Sequence, residues 1–343
     1  MLKDAFQYGV EIYKNDGTLL GQAPVSPDWA PAFEWTAFQG IRSGRLDPAA
    51  PSLHGRVEPV WHPEKGPPYT GSFRVSISGG ADQVCEDFPL SYFRKVALKA
   101  ATQFVELSDL EAGDTIQFRA TAFERQDTGP PAPRRIVIDD EDLREPWPII
   151  QASMPGKDAP APDAADVPVF IPAALLDDVA ALTRAAGPVE TGGVLIGRLC
   201  QDSSAREIFL DVTGHIPARH TIAEVAKLTF TGDTWTDARN LIGLRGRGEI
   251  MLGWWHSHVG REYCKDCPAD RQRECKFAKG FFSAHDEHFH RTAFSRAYHV
   301  GLVVNDPAAG EVTFPLFGWR RGRIEARDFC TNGESHVANS KAC

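Results

Sequence analysis

Residues 253–288 read GWWHSHVGREYCKDCPADRQRECKFAKGFFSAHDEH, and this stretch decides how the second half of the chain is interpreted. It contains four histidines, three cysteines and several carboxylates, and it is too polar to be core. Histidine, cysteine and carboxylate side chains are the usual protein ligands of zinc. Three interpretations are open at this point: one metal site, two metal sites, or a solvated loop that is rich in ligand-type residues.

Two of the histidines, His256 and His258, end the apolar run IMLGWW with one residue between them. In a β-strand, residues i and i+2 point to the same face, so both imidazoles can reach one ion. Ser283 and Asp286 are three residues apart and would share one face of a helix. Two histidines and one aspartate leave the fourth tetrahedral position of zinc open, which is typical of a catalytic ion.

Glu190 is the candidate general base for such a site. It stands in GPVETGGVLIGR, where glycines at 192, 193 and 197 allow the backbone to approach closely. A carboxylate beside a reacting water can accept its proton.

These motifs together resemble the signature of the JAMM (MPN+) metalloprotease family. The matching positions are Glu190, the HSH of residues 256–258 and the SAHD of residues 283–286, and GWWHSH is similar to the family's usual Gly-Trp-Tyr-His-Ser-His. The resemblance covers residues 167–329. It implies an α/β MPN (JAB, cytidine-deaminase-like) domain with a central mixed sheet.

The same resemblance implies a role for each matched residue. His256, His258 and Asp286 would bind a catalytic zinc ion, and Glu190 would act as general base and later as proton donor. Ser283 would help to stabilise the oxyanion. Serine is also favoured at a helix N-cap, so Ser283 is expected to cap the helix that presents Asp286, and the two roles are compatible.

Two features depart from the family pattern. Val259 stands where the family usually has proline, and 24 residues separate His258 from Ser283, several times the family's usual spacer. Of the two tryptophans before the histidines, Trp254 is expected in the core and Trp255 in the wall of the pocket.

The insertion holds Cys264, Cys267 and Cys275, whose spacing suggests a second, structural zinc. The candidates for its fourth ligand are His285, His288, His290 and Cys200. Apart from that role, the three histidines are expected at the surface. The insertion has little apolar material to order it, so a metal ion would offset chain entropy. The alternative is a mobile flap with reduced, exposed thiols.

The chain reads as two folded units joined by a linker. Residues 1–126 show strand patterns between Gly/Pro turns and predict a smaller accessory domain, α+β or mainly β, for recognition. Residues 127–166 are rich in proline and acidic residues, which is typical of an extended linker. Residues 167–329 interleave strands and helices, as in α/β domains. Residues 330–343 are expected to be a disordered tail.

Local patterns predict helices within three stretches. These are LSYFRKVALKAATQFVEL (90–107), IPAALLDDVAALTRAAG (171–187) and TGDTWTDARNLIGLRG (231–246). In the second, Leu175, Leu176, Val179 and Leu182 recur at helical spacing. Pro172 stands in its first turn and Gly187 at its end, as expected for helix boundaries.

Composition limits the classes of function. The formal net charge of −9 argues against a general nucleic-acid binder, because phosphate neutralisation needs a basic face. No apolar run approaches the length of a membrane span, and the first residues lack the pattern of an export signal. A cytoplasmic protein with neither nucleic acid nor membrane as partner is expected.

The resemblance implies a zinc-dependent isopeptidase that cleaves after the C-terminal tail of a ubiquitin-like protein, in maturation or deconjugation. The Ala/Pro-rich composition and the long N-terminal extension resemble proteases of bacterial Bil-type conjugation operons, some linked to antiphage defence, with E1-like and E2-like partners. Two alternatives remain: a sulfur-carrier-protein peptidase in cysteine or cofactor biosynthesis, and a non-catalytic MPN scaffold. The Pro-Cys-x-x-Cys element of the zinc-deaminase signature is absent from the sequence.

Overall fold

The computed structural model describes residues 2–50, 53–79, 82–106, 110–111, 113–125, 146–155, 166–219, 221–224, 227–272, 280–308, 310–332 and 341–342. The chain divides into two compact units, Met1–Trp147 and Pro148–Cys343. Among the described residues, no helix combines the length and the apolar character needed to cross a lipid bilayer.

In its described residues, the first unit combines two sheets with two α-helices. Its strands are β1 (Leu2–Asp4), β2 (Phe6–Lys14), β3 (Leu19–Val25), β4 (His54–Trp61), β5 (Thr70–Ser78), β6 (Gln83–Pro89) and β7 (Ile116–Glu124). Its helices are α1 (Ala30–Arg42) and α2 (Arg94–Glu106), the latter preceded by a 3-10 helix at Leu90–Phe93. The sheets have the orders β1-β4-β5-β6 and β3-β2-β7. The helix predicted within residues 90–107 is confirmed as α2.

An aromatic cluster forms part of the core of this unit. The ring of Tyr8 on β2 lies edge-on to Trp29 and Phe73 at centroid distances of 5.4 and 5.5 Å. Phe73 and Phe93 stack at 4.3 Å. Such aromatic pairs contribute more than their buried area alone. The unit therefore has a hydrophobic core of its own.

The second unit holds the sequence motifs. Its strands are β8 (Ile149–Gln151), β9 (Val169–Pro172), β10 (Gly192–Asp202), β11 (Glu207–Pro217), β12 (Thr221–Glu224), β13 (Lys227–Phe230), β14 (Ile250–His258), β15 (Val300–Asn305), β16 (Leu316–Arg320), β17 (Arg323–Arg327), β18 (Cys330–Asn332) and β19 (Lys341–Ala342). Its helices are α3 (Ala173–Ala186), α4 (Gly232–Arg245), α5 (Gly260–Tyr263), α6 (Ala269–Gln272) and α7 (Ala284–Ala293).

A mixed ten-stranded sheet organises this unit. Its order is β17-β16-β15-β14-β10-β11-β9-β18-β19, with β8 also paired to β10. Strand β14 lies between β10, which is antiparallel to it, and β15, which is parallel. Gly253 on β14 is a packing requirement, because a Cβ there would lie 1.8 Å from the carbonyl oxygen of Val300. Burial on both faces explains the continuous apolar run before the histidines.

The two helices predicted in the second unit are confirmed as α3 and α4. Pro172 is the N-cap of α3, and Gly187 ends it with a φ of 68°, which favours glycine. Val179 and its apolar neighbours in the first turns are buried. Leu182 is 36% exposed, so it lies at the margin of the predicted apolar face.

Parts of the predicted linker are ordered, in contrast to the expectation. Residues 127–145 and 156–165 lie outside the described residues. Between these ranges, Trp147 is buried and stacks on Phe38 of the first unit at 5.1 Å. Strand β8 pairs in parallel with the second half of β10. Three residues are too few to show a strand period, so composition alone suggested a linker.

The predicted disordered tail also begins with ordered residues. Strand β18 pairs in parallel with β9, with Cys330 opposite Phe170, and Lys341–Ala342 pair with β18 as β19. Hydrogen bonding to an existing sheet edge orders this short segment, and nothing in its own sequence predicts that edge.

Candidate metal centre

The two predicted zinc histidines lie at the end of β14 and are both buried. They share one face of the sheet because they are two residues apart. Ser257 between them holds the strand end: its N–H donates to the Thr191 carbonyl at 2.8 Å, and its hydroxyl accepts from the Thr191 N–H at 2.9 Å. Because Thr191 directly follows Glu190, these two hydrogen bonds also hold the predicted base next to strand β14.

Asp286 reaches the histidines from the first turn of α7. The hydroxyl of Ser283, the N-cap, accepts from the Asp286 N–H at 3.1 Å, and Asp286 Oδ2 accepts from the Ser283 N–H at 2.7 Å. This capping box fixes the aspartate side chain. Its Oδ1 lies 3.3 Å from His256 Nε2 and its Oδ2 lies 3.7 Å from His258 Nε2. The structure thus brings the three predicted ligands together and gives Ser283 the predicted capping role.

The three side chains have the donor types and the spacing of a zinc site. The two histidine Nε2 atoms are 3.0 Å apart. Ligand atoms about 2.0–2.1 Å from one ion at tetrahedral angles are about 3.3 Å from each other. The 3.0 Å between the histidine nitrogens and the 3.3 Å from His256 Nε2 to Asp286 Oδ1 are close to that value, and His258 Nε2 lies 3.7 Å from the other carboxylate oxygen, Oδ2. Within the described ranges, His256, His258 and Asp286 form the one group of three or more His, Cys, Asp or Glu side chains placed to hold a metal ion.

Two of the three predicted ligands have pKa shifts toward the form that binds a metal. Burial lowers the pKa of His258, which keeps its imidazole neutral near pH 7. Burial alone would raise the pKa of Asp286, but the charge of His256 and hydrogen bonds from both histidines and from the Ser283 N–H hold it well below its usual range. Metal ligands must be deprotonated, and a neutral imidazole beside an ionised carboxylate meets that condition.

Glu190 is buried next to this group. Burial raises the pKa of Glu190 to about 7; the charge of His256 opposes the shift, that of Asp286 adds to it, and a hydrogen bond from Tyr263 opposes it. A carboxyl group whose pKa is close to the ambient pH can both accept a proton and return it. The electrostatics therefore suit the predicted base.

Tyr263 is a site residue that sequence reasoning missed. It ends α5, the turn that opens the insertion, and its hydroxyl donates to Glu190 Oε1 at 3.4 Å. Arg261 holds this turn in place, because its N–H donates to the Asp306 carbonyl at 3.0 Å and its guanidinium pairs with the Asp306 carboxylate at 3.0 Å. Tyr263 and Glu190 are 73 residues apart in sequence, and no local pattern signals their contact.

The prediction for Trp254 is confirmed, because it is buried in a core cluster with Phe230 and Phe294, whereas the prediction for Trp255 is wrong. Trp255, expected in the pocket wall, is fully buried and lies edge-on to His215. Trp254 stacks on His256 with ring centroids 4.5 Å apart and an interplanar angle of 12°. Strand alternation contained the signal, because residues 254 and 256 lie on the same face and residue 255 lies on the other.

Two of the three histidines downstream of the insertion are exposed, as predicted, and one is not. His285 and His288 lie at the surface, whereas His290 is completely buried. The signal was again available, because His290 is four residues after the buried Asp286 on one helix face.

The described part of the cysteine cluster is compact. Cys264 is buried, and the Cys267 N–H donates to the Cys264 carbonyl at 3.0 Å. The Gln272 amide donates to both cysteine carbonyls, at 3.2 and 3.0 Å. Cys275 lies outside the described residues. Cys200 packs in an apolar cluster with Phe170 and Phe209, and burial raises the pKa of its thiol to about 11, so it has the character of a core residue.

No family model matches this sequence, and no curated protein sequence matches it. Among solved structures, the chain is similar to the solution structure of protein DSY2949 from Desulfitobacterium hafniense, a structural genomics target, with 18% identity and a TM-score of 0.33. The match covers 49% of this chain and 95% of that one. A similarity of this degree carries no argument about function.

Proposed function

We propose that this protein is a zinc-dependent peptidase of the JAMM type, with an MPN fold in its second unit. The observation that supports this most is the convergence of His256, His258 and Asp286, all buried, beside the buried carboxylate of Glu190. Burying ionisable groups is costly unless they are paired or bind an ion. Groups with strongly shifted pKa values also cluster at functional sites.

In the proposed hydrolysis, the three metal ligands and Glu190 have different roles. Zinc held by the three ligands would supply Lewis acidity, which lowers the pKa of water to about 7 and polarises a carbonyl group. Glu190 accepts the proton of the water that attacks the scissile carbonyl carbon. It then donates this proton to the leaving amine, so the carboxylate ends the cycle in its starting charge state.

Ser283 serves the oxyanion in this proposal. Its hydroxyl oxygen accepts from the Asp286 N–H, and a hydroxyl that accepts one bond still has its own proton to donate. Removing one oxyanion donor typically costs about 100- to 1000-fold in rate. Capping and oxyanion stabilisation are therefore compatible in one side chain.

The sequence resemblance supports the substrate class. We assign the activity to isopeptide or peptide bonds that follow the extended C-terminal tail of a ubiquitin-like protein, in a bacterial conjugation system with E1-like and E2-like partners. The first unit is assigned to recognition, because residues 1–126 contain only two histidines, His54 and His62, and one cysteine, Cys85. Among the described residues of this unit, no group of three or more His, Cys, Asp or Glu side chains is placed to hold a metal ion.

A second, structural zinc is part of the proposal. The buried thiol of Cys264 and the turn that joins it to Cys267 support a C-x-x-C metal knuckle, to which Cys275 would add a third thiolate. Because Cys200 packs in an apolar cluster, the exposed His285 and His288 are the better candidates for the fourth ligand.

Zinc content and cleavage of a ubiquitin-like fusion protein test the function. We expect wild-type protein purified without chelator to hold zinc and to cleave, and His256→Ala and Asp286→Ala to lose both the catalytic zinc and the cleavage. Glu287→Gln is the matched control, because this neighbour of Asp286 pairs with Arg291 at 2.9 Å and belongs to neither proposed ligand set. Wild-type protein that binds no zinc even when zinc is supplied would contradict the proposal.

A further inference from the structure

We propose that His290 is a positioning residue for the metal centre and acts on His256 through Trp254. This inference rests on the proposed zinc site. The Trp254 indole N–H donates to His290 Nδ1 at 3.1 Å. The same indole stacks on His256, with a centroid distance of 4.5 Å and an interplanar angle of 12°. All three side chains are at most 2% exposed.

The orientation of His256 needs such a support. A histidine that binds a metal usually donates its other ring N–H to a partner that fixes the ring plane. Within the described ranges, Nδ1 of His256 has no hydrogen-bond partner. The ring plane is therefore held by packing, with Trp254 stacked on its face, and whatever fixes the indole also fixes the imidazole.

The surroundings of His290 indicate why position 290 is a histidine: its ring nitrogen Nδ1 accepts a hydrogen bond. Its ring lies among Phe282, Phe294 and Trp319, at centroid distances of 6.0, 6.0 and 5.7 Å. Nε2 of His290 has no partner among the described residues, and a buried unsatisfied polar group costs about 1–3 kcal/mol. A phenylalanine would fill this aromatic site without that cost. The bond accepted from Trp254 is what phenylalanine would not supply.

The neutral state of His290 is consistent with this role. Burial holds the pKa of His290 well below its usual range, and the charge of Arg291 lowers it further. A neutral imidazole has one acceptor nitrogen, and here Nδ1 accepts from the indole.

Two pairs of contacting side chains join α7 to β14. Asp286 and His290 are four residues apart on one face of α7, and His256 and Trp254 are two residues apart on one face of β14. The first pair consists of the two proposed ligands, Asp286 and His256. The second pair is His290 and Trp254. Their hydrogen bond fixes the distance between α7 and β14 and the rotation of α7 about its own axis.

The test is the zinc affinity of the folded protein, measured by competition with a chromophoric chelator, with no dependence on cleavage. We expect His290→Phe to weaken zinc binding by about 10- to 100-fold, the range typical of positioning residues at metal sites. His290→Asn keeps an acceptor oxygen near the Nδ1 position and should bind more tightly than His290→Phe. In a Trp254→Phe background, His290→Phe should add little further loss, because the bond is already absent.

His299→Phe is the matched control. His299 is also buried, packs on Phe294 at 5.3 Å and accepts from the Arg296 N–H at 3.1 Å, but its hydrogen bond does not involve Trp254. It should lower the free energy of unfolding and leave zinc affinity unchanged. Equal zinc affinity in wild type and folded His290→Phe, or an equal loss in His299→Phe, would overturn the positioning role alone. Absence of zinc binding in the wild type would instead overturn the proposed function.

Discussion

Replacing Glu190 with glutamine separates the proposed base from the proposed ligands. Glutamine keeps the size of the side chain but cannot accept a proton. Glu190 is buried but is not a member of the ligand group. We therefore expect Glu190→Gln to retain zinc at the wild-type ratio and to lose cleavage.

The expected loss follows from the environment of the carboxyl group. General acid–base catalysis contributes about 100- to 10,000-fold, so the variant should be slower by that factor. Without a nearby cation, the pKa of Glu190 is about 7, because burial disfavours the charged form. A bound zinc ion lowers this pKa by its positive charge. The base form is the active one, so kcat/KM should rise with pH, and the acid limb should lie below pH 7 in the zinc-loaded enzyme.

The assay is single-turnover cleavage of a ubiquitin-like fusion across the acid and neutral range, with zinc content measured on the same samples. Glu287→Gln is the control, since this neighbour of Asp286 pairs with Arg291 at 2.9 Å and has no part in the proposed chemistry. Full hydrolysis by the zinc-loaded Glu190→Gln variant would refute the assignment of the base. Loss of zinc from that variant would refute the claim that Glu190 is not a ligand.

Three further outcomes are expected. Tyr263→Phe removes a hydrogen bond that lowers the pKa of Glu190, so the acid limb of the pH–rate profile should move to higher pH; an unchanged profile would remove Tyr263 from the site. Cys264→Ser should reduce zinc from about two ions per chain to about one while cleavage falls, and a single ion that is unaffected by the change would exclude the structural zinc. Hydrogen bonds from the Met154 N–H, and from residues 204 and 205, hold the pKa of Asp202 below its usual range. Asp202→Asn should therefore destabilise the protein against urea at pH 7, and this difference should shrink below about pH 4, as the wild-type carboxylate also protonates.

The local part of the candidate site could be predicted because short spacings determine it. Alternation along a strand puts His256 and His258 on one face, and the Ser-x-x-Asp spacing at the start of a helix predicts the capping box that holds Asp286. The same rules place Trp254 on the face of β14 that carries His256. They would also have placed His290 on the buried face of α7.

The sequence by itself determined the helices and strands that have a clear period, and the residue types that could bind a metal. Only the tertiary structure decided which of them meet. Strand β8, the contact of Tyr263 with Glu190 and the raised pKa of Glu190 all depend on residues far away in sequence. Local periodicity is fixed by backbone geometry within a few residues, whereas sheet pairing, burial and pKa shifts depend on how distant segments exclude water from each other.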